Sequence, residues 1–180
     1  NVTEDADLGF RLGAAGLGLG VLSSPTWETP SRLWSQWLPQ RTRWLKGFIQ
    51  TTAVHTRSGA PGARGLAALA AGPGLAVLSA LAFAPSVAIV LFGLASAGAD
   101  PDLALFAAGW AVAAIGARHG AKRAGVPFRW TDAALLPVYW TLAFPAACRA
   151  LWQLATRPHH WDKTDHPLET AHGEAGRLAA

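Results

Sequence analysis

The longest apolar run in the chain extends from Leu75 to Ala97, 23 residues without a charge. As an α-helix it would measure about 34 Å, enough to cross the ~30 Å hydrocarbon layer of a bilayer in spite of Pro85. Leu103 to Ala117 is shorter and lies between Pro101-Asp102 and Arg118, so it is expected to return across the membrane after the tight acidic turn AGADPD. Together the two runs predict a transmembrane helical hairpin. A third stretch, Ala133 to Ala155, has no charge before Arg149 but is interrupted by Pro137 and Pro145. Its length and breaks favour an interfacial or re-entrant segment over a third crossing.

The segments before the hairpin follow other periods. Thr3 is a natural N-cap, and Glu4, Asp5 and Asp7 put negative charge on the free N–H groups of a first helical turn. That helix is expected to run to about Ala15, with Gly16 as its left-handed stop. Leu17 to Leu22 then reads as a short buried strand ending in the turn Ser23-Ser24-Pro25. One strand cannot bury both of its faces, so this helix-strand unit predicts the remnant of an α/β sheet whose other strands lie upstream of Asn1. Next comes TPSRLWSQWLPQRTRWLKGFIQTTAVHTR, with Pro30 near a helix start, Pro39 as an expected kink and Gly59 to Gly62 as the stop. Trp34, Trp37, Trp44 and Phe48 recur at helical spacing among Arg32, Arg41, Arg43 and Lys46, which predicts an amphipathic helix lying in the membrane interface. The expected organisation is therefore 1–58, the end of a catalytic domain with its interfacial helix; 66–130, the hairpin and a basic loop; 131–157, an interfacial or third membrane helix; and 158–180, a polar tail whose last ten residues should be disordered. The fold class is mainly α and membrane-bound.

Composition agrees with this picture. Of 180 residues, 51% are hydrophobic and only 14% charged, too few charges for an ordinary soluble surface. The net charge of +4 could suit nucleic acid, but no nucleic-acid motif accompanies it. Arg118, Lys122, Arg123 and Arg129 crowd one loop, and the positive-inside rule puts that loop in the cytoplasm together with Arg41 to Arg64. Cys148 is the only cysteine, which excludes an internal disulfide and a CxxC metal site, and it is expected to serve as packing material. Acids occupy Asn1 to Phe10 where a secretory signal would carry basic and apolar residues.

Three groups of residues could carry chemistry. Asp5, between Glu4 and Asp7, could act as a base or a metal ligand, or simply complement the helix dipole. Gln40, Arg43 and Trp44 share one helix face and present an amide, a guanidinium and an indole together, which suits a pyrophosphate beside a sugar ring but also suits an aromatic-basic membrane belt. His159, His160, His166 and His172 with Asp162 and Asp165 offer metal-type side chains, yet their spacing matches no recognised site and no metal is assigned to them. His55 and His119 read as ordinary interface residues.

Thr3-Glu4-Asp5, followed about 35 residues later by Gln40-Arg41-Thr42-Arg43-Trp44 and then by membrane helices, resembles the processive, membrane-bound family 2 glycosyltransferases such as cellulose synthase and hyaluronan synthase. The resemblance extends from Asn1 to about His166. It implies that Asp5 is the general base that deprotonates the acceptor hydroxyl, with Glu4 beside it in the substrate site. Gln40 and Arg43 would hold the diphosphate of a nucleotide-sugar donor, and Trp44 would stack on the acceptor sugar. PHHWDKTDH is similar to the signature W-x-K-T-x-H-G of bacterial members, with Pro167 where glycine is usual. By that likeness Trp161, Lys163 and Thr164 would cap the donor. The resemblance further implies an inverting transfer to a saccharide or lipid-linked acceptor at the cytoplasmic face of a bacterial inner membrane. It also implies a divalent cation, Mg or Mn, whose ligands belong to a donor-binding half before Asn1, so the chain alone is expected to be inactive. A non-catalytic membrane subunit, with the aromatic-basic helix docking a partner, is the rival reading.

Overall fold

The computed structural model describes residues 3–20, 22, 24, 31, 33–57, 62–97, 101–160 and 162. Among them the chain forms helices and no strand. The first helix, α1 (Glu4–Ala14), starts on the three carboxylates and stops where Gly16 takes a φ of 75°, the left-handed conformation that glycine adopts without strain. Thr3 occupies the N-cap position but makes no side-chain cap; its hydroxyl is buried instead, 3.5 Å from Thr51 Oγ1. The strand expected at Leu17–Leu22 is not formed. Residues 17–20 and 22 are irregular and exposed, and no described segment offers the backbone partners that a strand requires.

The interfacial helix α2 (Trp34–Arg57) runs through Pro39 without a break. Pro39 lies in its second turn, where the missing N–H removes one backbone bond without ending the helix. The expected stop at Gly59–Gly62 falls mainly outside the described residues, and α3 (Gly62–Leu69) starts on its last glycine. A π-helical turn at Ala70–Gly74 absorbs Pro73 and leads into α4 (Leu75–Ala97), which coincides with the longest apolar run. α5 (Pro101–Arg123) extends beyond the expected return crossing to include the basic residues at its end. α6 (Trp130–Thr141) and α7 (Ala143–Thr156) are separated only by a turn at Leu142.

Three runs are long and apolar enough to cross a membrane: Gly62–Gly93, Leu103–Arg123 and Trp130–Thr156. The third therefore meets the length for a crossing, although its second half, α7, is amphipathic and packs along α2. α4 and α5 expose large apolar side chains, Phe92 and Leu105 by 76% and 74%, as faces turned to hydrocarbon would. The core is small. Ala146, Ala147 and Ala150 of α7 close onto Leu45 of α2 and Ala80 of α4, the short side chains that let membrane helices approach closely. Cys148 points away from that alanine face and is exposed, not packing material.

α1 is held against α2 by a single stripe. Gly47, Thr51 and His55 recur at intervals of four, so they share a face, and Thr3 and Asp7 meet it. The Phe10 ring adds a tilted contact with His55 at 5.4 Å between centroids. Docking on Gly47 sets the start of α1 one helical turn beyond Trp44.

Candidate functional site

Each carboxylate of α1 has its own surroundings. Glu4 and Asp5 are exposed in the first turn, where the helix dipole favours the anion, and Asp5 Oδ1 accepts the backbone N–H of Ala6 at 2.8 Å. Asp7 is buried. Its Oδ2 accepts Arg11 Nε at 2.8 Å, and its Oδ1 accepts His55 Nε2 at 2.8 Å; because an ionised carboxylate has only acceptors, Nε2 carries the shared proton. Burial alone would raise the Asp7 carboxyl, but the His55 hydrogen bond and the Arg11 charge outweigh it and hold the group below the usual carboxylate range. His55 is thus a buried member of a hydrogen-bonded latch, not the ordinary interface residue expected.

α2 presents two further faces. Gln40 Oε1 accepts Ser31 Oγ at 3.2 Å, and both Gln40 and Arg43 are half-buried. Trp44 is covered on one side by the Arg41 guanidinium, 4.4 Å from its ring centroid, a cation–π stack. Arg41 also donates to Tyr139 Oη at 3.1 Å and lies 5.6 Å from the Trp37 ring, so one arginine ties together three aromatic residues of α2 and α6. The sequence spacing grouped Arg43, and not Arg41, with Gln40 and Trp44.

Lys46 is another group that residue spacing did not single out. It is 1% exposed, and its Nζ donates to Arg157 O at 3.0 Å and to His160 O at 2.8 Å. Burial lowers the ammonium below the usual lysine range, a loss that nearby Asp162 offsets in part. One turn along α2, Gln50 Nε2 donates to Pro158 O at 3.3 Å. Asp162 in turn accepts Arg149 at 3.0 Å, Gln153 at 2.8 Å and His160 at 3.2 Å. The root of the PHHWDKTDH segment is therefore clamped onto α2 and α7. Trp161, Lys163 and Thr164 lie outside the described residues. Replacing Lys46 by methionine keeps the volume and removes both donors. The expected result is faster amide hydrogen exchange at residues 157–160 with α2 unchanged, since those loop bonds are the ones lost.

Beside this, α2, α4, α5 and α6 enclose a cavity of about 850 Å³. Trp37, Arg41 and Trp44 belong to its α2 wall, and Phe83 lines it from α4, its ring 6.0 Å from that of Phe106 and edge-on to Trp140 at 5.2 Å. Trp110 of α5 spends its indole N–H on Ala133 O at 2.7 Å, which joins α5 to α6 at the cavity's side.

The profile of glycosyl transferase family group 2 matches residues 1–155, which include α1, α2 and every apolar helix. The chain belongs to that family. Family 2 glycosyltransferases are transferases of sugar residues, and the match covers both the acidic helix and the aromatic-basic helix described above. No curated protein and no solved structure proved similar to the chain. Members of the family commonly use a divalent cation. The described residues do not fit one: Asp7, the second acid of Asp5-Ala6-Asp7, is already occupied by Arg11 and His55, and no three metal-type side chains cluster among the described residues.

Proposed function

We propose that this glycosyltransferase moves a sugar from a nucleotide-sugar donor to a saccharide or lipid-linked acceptor at the cytoplasmic face of a bacterial inner membrane, in the manner of the cellulose and hyaluronan synthases, for cell-surface polysaccharide. Asp5 takes the proton of the acceptor hydroxyl as its oxygen bonds to the anomeric carbon from the side opposite the departing nucleoside diphosphate, which inverts that carbon. Gln40 and Arg43 hold the diphosphate and stabilise the charge that develops as its bond to the sugar breaks. Glu4 borders the acceptor, Trp44 stacks on it, and Trp161, Lys163 and Thr164 cover the donor. The donor-binding half, with the ligands of the Mg or Mn ion, precedes Asn1 in this reading.

What supports the reading is the family match together with the docking of α1, which carries the exposed Asp5, on α2, which carries Gln40, Arg43 and Trp44. Arg43→Ala should weaken nucleoside diphosphate binding about tenfold, the loss of one charge-assisted contact, when titrated calorimetrically against protein that carries the upstream half. An unchanged affinity would remove the clamp.

A further inference from the structure

Little apolar surface of α1 is covered. Of its own residues only Asp7 is buried, and Leu8 is 54% exposed. Apolar contact can keep two helices together, but the hydrophobic effect has no direction and does little to fix how a helix is rotated about its own axis. A hydrogen bond does have a direction.

Asp7 is gripped at both oxygens. Arg11, one turn along α1, holds Oδ2 and so sets the plane of the carboxylate, while Oδ1 accepts His55 Nε2 at 2.8 Å. The Asp7 and His55 side chains are both about nine-tenths buried. His55 stands in the last turn of α2, and α1 also touches α3, the start of the first run able to cross a membrane. The grip therefore ties the acidic helix to the membrane-side frame at one directed contact, the kind of buried polar pair that can specify a single arrangement.

Asp5 lies two residues before Asp7, about 160° around the same helix, so it faces away from α2, in keeping with its exposure. Turning α1 by one residue position, about 100°, would carry the Asp5 Cα about 3.5 Å around its ~2.3 Å cylinder, and a misplacement of about 1 Å can cost ~10²-fold in rate. From this geometry we infer that His55 is a positioning residue for sugar transfer: by holding Asp7 it sets the rotation of α1, and with it the direction in which Asp5 meets the acceptor hydroxyl. His55 itself touches no substrate and takes no proton. The inference rests on the reading of Asp5 as the base.

The protein with its upstream half is assayed in native membranes that carry its acceptor. The donor is the one, among UDP-, GDP- and dTDP-sugars, from which the wild type releases nucleoside diphosphate. His55→Leu should lower transfer about 10–100-fold with the KM for the donor unchanged. His55→Gln keeps an N–H close to the place of Nε2 and should stay within about threefold of the wild type. A loss of folded protein would scale every background equally, so the two are separated on Asp5→Asn. There His55→Leu should change the residual rate by less than about twofold, since no base is left to position. Amide hydrogen exchange follows α1 without any substrate: it should quicken about tenfold over residues 8–14 in His55→Leu and not in His55→Gln. The inference is overturned if His55→Leu transfers as well as the wild type, if His55→Gln is no better than His55→Leu, or if His55→Leu causes the same fold-loss with and without Asp5. Exchange in α1 unaltered by His55→Leu would likewise overturn it, whatever the rates. Wild-type transfer by Asp5→Asn would sink the base assignment, and the role of His55 with it, whereas a loss in Asp5→Asn that His55→Leu merely multiplies would leave the base standing and remove His55 alone.

Discussion

Replacing Asp5 by asparagine should lower the rate of sugar transfer by about 10²–10⁴-fold, the range of a lost general base, while donor binding and thermal stability stay as they are. The expectation follows from exposure. Asp5 is exposed and accepts one local hydrogen bond, from the Ala6 amide beside it, so its carboxylate is available to an acceptor and its removal costs the fold little. Asp7, two residues on, should behave in the opposite way. Asp7→Asn loses the charge that pairs with Arg11 and His55, and should cost about 1–3 kcal/mol of stability through a buried donor left poorly satisfied. Its effect on rate should follow from loosening α1. The pH dependence separates the two further. The folded carboxyl of Asp7 titrates below its unfolded value, so its contribution is full above about pH 4 and is lost as pH falls through that window. A thermal melt of the wild type should therefore weaken below about pH 4, and the Asp7→Asn melt should weaken less over the same range. Should Asp5→Asn retain full turnover with the donor-binding half present, the acid at this helix start would be no base, and the anchor reading would gain.

Much of the helical frame could be read from residue order because it depends on local rules. The apolar run from Leu75, just after Gly72-Pro73-Gly74, to Ala97 coincides with α4, and glycine at position 16 ends α1 by its own conformational freedom. What could not be read was which side of each polar residue would be covered. Thr3 has the chemistry of a helix cap, yet it is buried against Thr51 because α1 docks on α2, a tertiary event. Asp7 and His55 each looked like surface groups, and only their meeting across 48 residues makes them a buried pair. The spacing at 47, 51 and 55 was the available signal. A short stripe of Gly, Thr and His at intervals of four marks a face that approaches something closely, although it does not say what. The role of Arg41 escaped the sequence, which pointed to Arg43, for a related reason. Two residues apart on a helix they point about 160° away from each other, and position alone does not tell which one meets Tyr139. The strand at Leu17–Leu22 failed because an apolar alternation specifies a strand only where a neighbouring strand exists to receive it.

Gly47→Ala should destabilise the protein by about 1–3 kcal/mol and reduce transfer, and the sign of the stability change is what makes the experiment decisive. In an undocked helix interior the same substitution would stabilise by about 0.5–1 kcal/mol, because alanine has the higher helix propensity and less backbone entropy to lose. Gly47 stands in the middle of α2, so propensity alone predicts a gain. The contact predicts a loss. A Cβ on Gly47 would overlap Thr3 Oγ1 and Cγ2 and lie 2.8 Å from Thr3 Cβ, and Thr3 cannot simply swing aside, since Asp7 one turn later is tied to His55 on the same face. The start of α1 must lift, and Asp5 moves with it. Removing the obstruction from the other side tests this directly. Thr3→Gly deletes the atoms that Cβ would meet, so the double variant Thr3→Gly, Gly47→Ala should be more stable than the sum of the two single effects predicts, and its rate of transfer should recover relative to Gly47→Ala. Additive effects in melting and in rate would mean that α1 does not rest on Gly47, and the docking of the acidic helix on the aromatic-basic helix would have to be given up.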